Sequence, residues 1–222
     1  METKIAELAI GAFLHDIGKI AQRGNVRLSE QSERMKGFIC PNKHGRYTHL
    51  HVAYTNELFE KLKGWLPKEL DPNSIANLAA YHHRPETPEQ YIVQQADWLS
   101  AGHDRVDSDE ETSKRYRQAR LRSIFSAICL GERIDDVPKF RFLPVLRQSV
   151  TESAFPVELD EASASIQEYD SVFQELKDHL GGLRKNAPLG FYMEQLQWVF
   201  GLYSWCVPRS LREATDVYLL DH

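Results

Sequence analysis

The chain has 222 residues, enough for one large domain or two small ones with a real core. Its 42% apolar and 27% charged residues are those of a soluble globular protein, and a net charge of −5 excludes a generally basic nucleic-acid coat, though not a local basic groove. Three scattered cysteines, Cys40, Cys129 and Cys206, form no CxxC and read as reduced thiols of a cytoplasmic protein. No apolar run reaches the roughly 20 residues of a membrane span, and the start METKIAELAI is not a signal peptide.

Ile5, Leu8, Ala9, Ala12, Phe13, Ile17 and Ile20 recur at helical spacing and predict an opening helix with that face toward a core. Asp16 lies on the same stripe, between Ala12 and Ile20. A carboxylate buried there needs a cationic partner, because an unpaired buried charge costs several kcal/mol. His15, about 100° further round the helix, points toward the flank of Leu8. Imidazole and carboxylate are both good ligands for divalent first-row ions. The dipeptide alone also has an ordinary explanation, a paired structural Asp.

From Gly24 to about Tyr47 the chain is polar, and this length predicts a short helix or a cover over an active site. Cys40-Pro41-Asn42-Lys43-His44 reads as a turn. Without a second cysteine nearby, Cys40 is a poor metal ligand, and His44 scarcely better. Thr48-His49-Leu50-His51 then leads into a helix in which His51 shares the inward stripe with Tyr54, Thr55, Leu58 and Phe59. His49 falls nearly opposite, facing solvent unless it precedes the helix, as a bystander or a support to the site.

Asp71-Pro72 predicts an N-cap and a first-turn proline, opening a helix through Ile75, Leu78 and Ala79 to Tyr81-His82-His83, ended by Arg84-Pro85. His82 and His83 belong to its inward side. A fourth helix is predicted from Pro88 through Ile92, Val93, Ala96, Asp97 and Ser100 to Gly102, with Asp97 at the edge of its apolar face. Seven of the nine histidines fall between positions 15 and 103. Each metal-capable residue taken alone has a packing explanation. Six such groups on four inward faces do not, and they suit one or two divalent ions acting on a phosphoryl group.

The segments FLHDIGK, THLHVAYT, AYHHRP and ADWLSAGHDR resemble the HD-type metal phosphohydrolases, most closely the HD domain that opens the large, polymerase-like subunit of type III-A CRISPR effector complexes. That resemblance implies a mainly α fold, a permuted HD helical domain over 1–112, followed over 113–222 by a linker and the start of a palm-like (ferredoxin-like) α+β domain. It implies His15 and Asp16 as signature metal ligands, Asp97 as the distal acid, and His51, His82 and His83 completing the site. Lys19 is a candidate for stabilising charge. The implied activity is cleavage of single-stranded DNA with manganese, nickel or cobalt-like ions, within a guide-RNA complex that answers to target RNA.

In the second half, Asp107 to Glu111 and Lys114 to Arg117 read as a charged connector. LRSIFSAICL, the strand-like KFRFLPVL and AFPVEL follow, and then two helices. Lys114, Arg115, Arg117, Arg120 and Arg122 can be read as touching phosphates, although an exposed charged helix is the simpler reading. Phe191, Tyr192, Trp198, Phe200, Tyr203 and Trp205 read as core. No Gly-Gly-Asp-Asp motif and no zinc-binding insertion are present, so cyclic-oligoadenylate synthesis is not implied, and the sequence reads as a truncated form whose palm domains lie beyond it. Two other functions stay open: an HD-type nucleotide or cyclic-nucleotide phosphohydrolase, and an inert docking domain of a ribonucleoprotein.

Overall fold

The computed structural model describes residues 2–24, 26–61, 64–101, 119–121, 123, 141–150, 157–158, 164–209 and 219. The helices are α1 (Glu2–Phe13), α2 (Gly18–Arg23), α3 (Glu30–Ile39), α4 (His51–Lys61), α5 (Pro72–Ala80), α6 (Pro88–Ala101), α7 (Ile166–Gly181) and α8 (Leu189–Ser204). Two short antiparallel pairs accompany them: β1 (Asn42–Lys43) with β2 (Arg46–Tyr47), and β3 (Arg141–Phe142) with β4 (Val157–Glu158). The fold is mainly α. Among the described residues no helix is long and apolar enough to cross a membrane.

The opening helix departs from its predicted course. It stops at Phe13, residues 14–17 form a turn, and α2 starts afresh at Gly18. Its inward stripe is Ala6, Ile10 and Leu14, whereas Ile5 is 62% exposed. The predicted phase assumed one unbroken helix to Ile20. The real one is interrupted where α2 turns to lie along α4.

α1 packs on α5, α4 on α5, and α2 on both α4 and α7. One apolar cluster joins Ile10, Leu14, Ile17 and Ile20 to Leu58, Phe59, Ile75 and Ala79, and continues into Tyr169, Phe173, Leu176, Tyr192, Leu196 and Phe200. Burying side chains of this size is worth about 1.5–3 kcal/mol each. At the seam sits Arg23, 2% exposed, whose guanidinium donates to the Pro208 carbonyl at 3.0 Å and lies 5.4 Å from the Tyr169 ring centre. The boundary read near residue 112 falls outside the described residues, as do Cys129, Gly102, His103, Lys114, Arg115, Arg117 and Arg122.

The predicted caps are present where they are described. Asp71 accepts from the Asn73 amide at 2.9 Å, with Pro72 in the first turn of α5. Ser165 and Glu168 close a capping box at α7. Arg120 donates to both Glu168 carboxylate oxygens, at 2.9 and 3.0 Å, so its guanidinium is engaged within the fold.

Two faces are more open than the periodicity suggested. On α6, among the described side chains, Gln90, Val93 and Asp97 are buried, while Ile92 is 54% exposed, because this helix packs on α1 and α5 among its main neighbours. On α8, Tyr192, Phe200 and Tyr203 are core, but Phe191 and Trp198 are exposed. Those two stand two helical turns apart on the side away from Leu196 and Val199. Trp205 is partly buried and donates to the Leu146 carbonyl at 2.9 Å.

Candidate metal centre

The turn between α1 and α2 carries His15 and Asp16. Gly18 opens α2 directly against the first turn of α4. A Cβ on it would sit 2.1 Å from the His51 carbonyl oxygen, so no larger residue fits without displacing α4. Its amide donates to Thr55 Oγ1 at 3.1 Å, and that hydroxyl donates to the His15 carbonyl at 3.0 Å. Thr55 is wholly buried and ties the His15–Asp16 turn to α4. Sequence periodicity put Thr55 on an inward stripe; its role depends on a partner in another segment and left no local mark.

Four segments then converge. His51 Nε2 lies 3.1 Å from Asp16 Oδ1, and His82 Nε2 lies 4.0 Å from the same oxygen. His15 Nε2 lies 3.5 Å from Asp16 Oδ2 and 3.6 Å from Asp97 Oδ1. His83 Nε2 meets His51 Nε2 at 3.1 Å. Ligand atoms of His51, His82 and His83 lie within 4.8 Å of one another, and so do those of His15, Asp16 and His82. α5 ends at Ala80, so His82 and His83 occupy a turn rather than the last helical turn. Gln94 on α6 donates to the His82 carbonyl at 3.0 Å and fixes that turn.

The hydrogen bonds identify which ring nitrogens are free to coordinate. His15 Nδ1 donates to the Ala12 carbonyl at 2.6 Å, and His82 Nδ1 donates to the Ala79 carbonyl at 2.6 Å. A carbonyl only accepts, so Nδ1 holds a proton in each ring, and each ring when neutral carries its lone pair on Nε2, toward the pocket. This is the arrangement that metal-ligating histidines adopt. His82 Nε2 is buried and has no hydrogen-bond partner among the described residues, which is costly unless a cation stands before it. The donor set of imidazoles and carboxylates therefore fits a divalent ion.

Charge in the pocket follows from burial and neighbours. Burial opposes ionisation of Asp16, but Lys19, His15 and His51 outweigh it and hold its carboxyl well below the usual range. Lys19 Nζ is in direct contact with Asp16 Oδ2. Burial also pulls against the His15 imidazolium, yet the Asp16 charge and hydrogen bonds to Asp16 and Asp97 raise it to about 9. His82 is pushed far down by burial and by the His15 and His51 charges, while burial likewise lowers His51 and His83. These three imidazoles are neutral, the form that binds metals.

The residues read as bystanders also have places. His49 precedes α4 with a left-handed φ of 53°, and its ring centre is 4.0 Å from that of His83. His44 is exposed at the tip of the β1–β2 hairpin. Cys40 is buried in an apolar cluster with Ile39, Val52, Ala53 and Ala80, and burial pushes its thiol up to about 11, which unfits it as a ligand.

Residues 2–102 match the HD domain family. The chain is 28% identical over 230 residues to a protein of Methanocaldococcus jannaschii named CRISPR system single-strand-specific deoxyribonuclease Cas10/Csm1 (subtype III-A), across 97% of this chain and 26% of that one. A protein of the same name from Enterococcus italicus is 27% identical over 235 residues, covering 99% and 27%. In structure the chain resembles one in a crystal structure of a Csm1–Csm4 subcomplex of the type III-A CRISPR–Csm interference complex, with a TM-score of 0.52 at 21% identity over 98% of this chain and 26% of that one. The chain thus spans about a quarter of the length of these relatives.

Proposed function

We infer that this protein, whose residues 2–102 match the HD domain family, is a metal-dependent nuclease that cleaves single-stranded DNA, acting as the HD-bearing part of a type III-A CRISPR effector subunit in antiviral defence. His15, Asp16, His51, His82, His83 and Asp97 hold one or two divalent ions, proposed as manganese, nickel or cobalt: imidazoles suit the later ions such as nickel, and the two carboxylates suit manganese. What the ion supplies when bound is Lewis acidity toward a phosphodiester. The remaining work falls to the chain's own groups. Lys19 keeps Asp16 ionised and aimed into the pocket. The Ala12 and Ala79 carbonyls orient two imidazoles, and Thr55 fixes the turn that carries the His-Asp pair. Subunits of a type III-A effector complex are the proposed partners, supported by the relatives' names and by the complex that holds the structural neighbour; guide and target RNA are proposed from the motif resemblance alone.

The observation that carries this reading is the buried, protonless Nε2 of His82 facing Asp16 from another segment. Metal analysis of the purified protein, paired with cleavage of linear single-stranded DNA across magnesium, manganese, nickel and cobalt, tests it. Cleavage that requires added ion and disappears in Asp16→Ala is the expected result. Cleavage retained in a purified His15→Ala/Asp16→Ala double variant rules the site out. Turnover of mononucleotides or cyclic nucleotides without cleavage of a strand makes the protein a nucleotide phosphohydrolase instead. Normal assembly with no metal-stimulated hydrolysis makes it a docking domain.

A further inference from the structure

In the hairpin formed by β1 and β2, Asn42 accepts from the Gly45 amide at 2.9 Å, but no pairing among the described residues accounts for Lys43 and Arg46. All four strand residues are exposed, and Lys43 pairs directly across from Arg46. Like charges opposed in a ladder destabilise it. Neither cation forms an ion pair among the described residues. From Phe38 through Asn56 the sequence contains no Asp or Glu, in a chain whose overall charge is −5. The tip is held by His44 at φ 51° and Gly45 at φ 80°, a left-handed pair suited to a two-residue hairpin turn.

The hairpin also adjoins the metal centre. Tyr47 stands two residues before His49, at most about 7 Å along the chain, and the His49 ring rests against that of His83. On the face opposite Lys43 and Arg46, the Tyr47 hydroxyl reaches 3.6 Å from where a Cβ on Gly37 would be. The Gly37 carbonyl accepts from Arg84, the residue after His83, at 2.6 Å. Beside it Phe38 is 59% exposed, and Tyr47 is 44% exposed. Cations on one face of the hairpin and open aromatic rings on and beside the other therefore border the same segment that leads into His49. That is the combination that binds single strands without regard to sequence.

We propose that the β1–β2 hairpin is the platform that receives the DNA strand at the metal centre, with Lys43 and Arg46 on its phosphates, and with Tyr47 and Phe38 stacking bases next to the scissile position. This rests on the nuclease reading for its substrate. A duplex, whose base faces are closed, is a poor ligand for it. Small phosphodiesters, which span only the metal centre, do not sense it.

The test uses the full chain stripped of metal with EDTA and a fluorescein-labelled oligothymidylate, with binding followed by anisotropy. Tyr47→Ala should weaken binding about tenfold, the value of one base–aromatic stack, while Tyr47→Phe keeps it. Lys43→Gln with Arg46→Gln should flatten the dependence of log Kd on log salt by about 1.4, near 0.7 for each phosphate no longer neutralised. Hydrolysis of bis-p-nitrophenyl phosphate by the metal-loaded variants should match the unaltered protein. Unchanged affinity and salt slope in these variants, no binding by the unaltered protein, or equal binding of a duplex overturns the proposal. Binding that responds as expected, with no metal-dependent hydrolysis of either substrate, overturns the nuclease reading and leaves the hairpin as a strand-binding element.

Discussion

Nε2 of His15 lies 3.6 Å from Oδ1 of Asp97, joining the turn after α1 to the sixth helix. Against the pull of burial, the Asp16 charge and the hydrogen bonds to Asp16 and Asp97 raise the His15 imidazolium to about 9. In the metal-free protein at neutral pH, that ring is protonated and must release its proton before Nε2 can coordinate. Calorimetric titration of the ion in two buffers of different ionisation enthalpy should therefore show release of about one proton per site near pH 7, fading above pH 9. No proton release at pH 7 would contradict this arrangement.

The same shift has a stability consequence whose sign is fixed. The folded-state pKa of His15 is above its ordinary 6.5, so the charged ring stabilises the metal-free fold fully below that value and ceases to do so as pH rises through about 9. Urea denaturation in EDTA should show stability falling over this window in the unaltered protein. Asp97→Asn, which removes one of the groups that raise the pKa, should narrow the window.

Thr55→Val keeps the volume of the side chain but deletes the hydroxyl between the Gly18 amide and the His15 carbonyl. One buried donor is left without its acceptor, a cost of about 1–3 kcal/mol. Because the hydroxyl orients the ligand-bearing turn, metal affinity should also fall, by about 10- to 100-fold. Denaturation in EDTA and a separate metal titration read the two effects independently.

Gly18→Ala should disturb the site more than the fold. The added methyl meets the His51 carbonyl at a distance no real Cβ tolerates, so α4 must shift. Overpacking of this kind costs about 1–3 kcal/mol or more, and His51 moves with the shift. A folded but metal-poor protein, shown by circular dichroism and metal content together, is the expected outcome.

Arg23→Met removes the guanidinium that caps the Pro208 carbonyl between α2 and the C-terminal helices. Its methylene stem is replaced by packing of similar length, but the carbonyl is deprived of a charged donor. A drop of about 1.5–3 kcal/mol is expected from chemical denaturation, with the pocket's metal affinity unchanged.

What was legible in the sequence followed local periodicity. His51 is buried on the same side of its helix as Thr55, Leu58 and Phe59, and Asp97 is buried four residues after Val93. The mainly α class followed from the same patterns and from the HD-type motifs. The failures are long-range in origin. The apolar spacing of Phe13–Gly18 does not announce the break that sets Ala6 and Ile10 inward and leaves Ile5 outside; the break falls where Gly18 packs against the first turn of α4. Ile92, Phe191 and Trp198 are apolar and exposed because few elements pack on their sides of α6 and α8. The tautomers that make His15 and His82 donors of lone pairs depend on Ala12 and Ala79 carbonyls, which carry no side-chain signal.

The interruption between α1 and α2 has a geometric effect of its own. In a continuous helix, neighbouring side chains diverge by about 100° and cannot grip one object together. Released from that pitch, two consecutive residues bring His15 Nε2 and Asp16 Oδ2 to 3.5 Å of each other, so that for an ion held by one the other would stand at a local concentration far above that of any free competitor. Straightening this short bend back into regular coil would leave every donor in the sequence and still dissolve the bite.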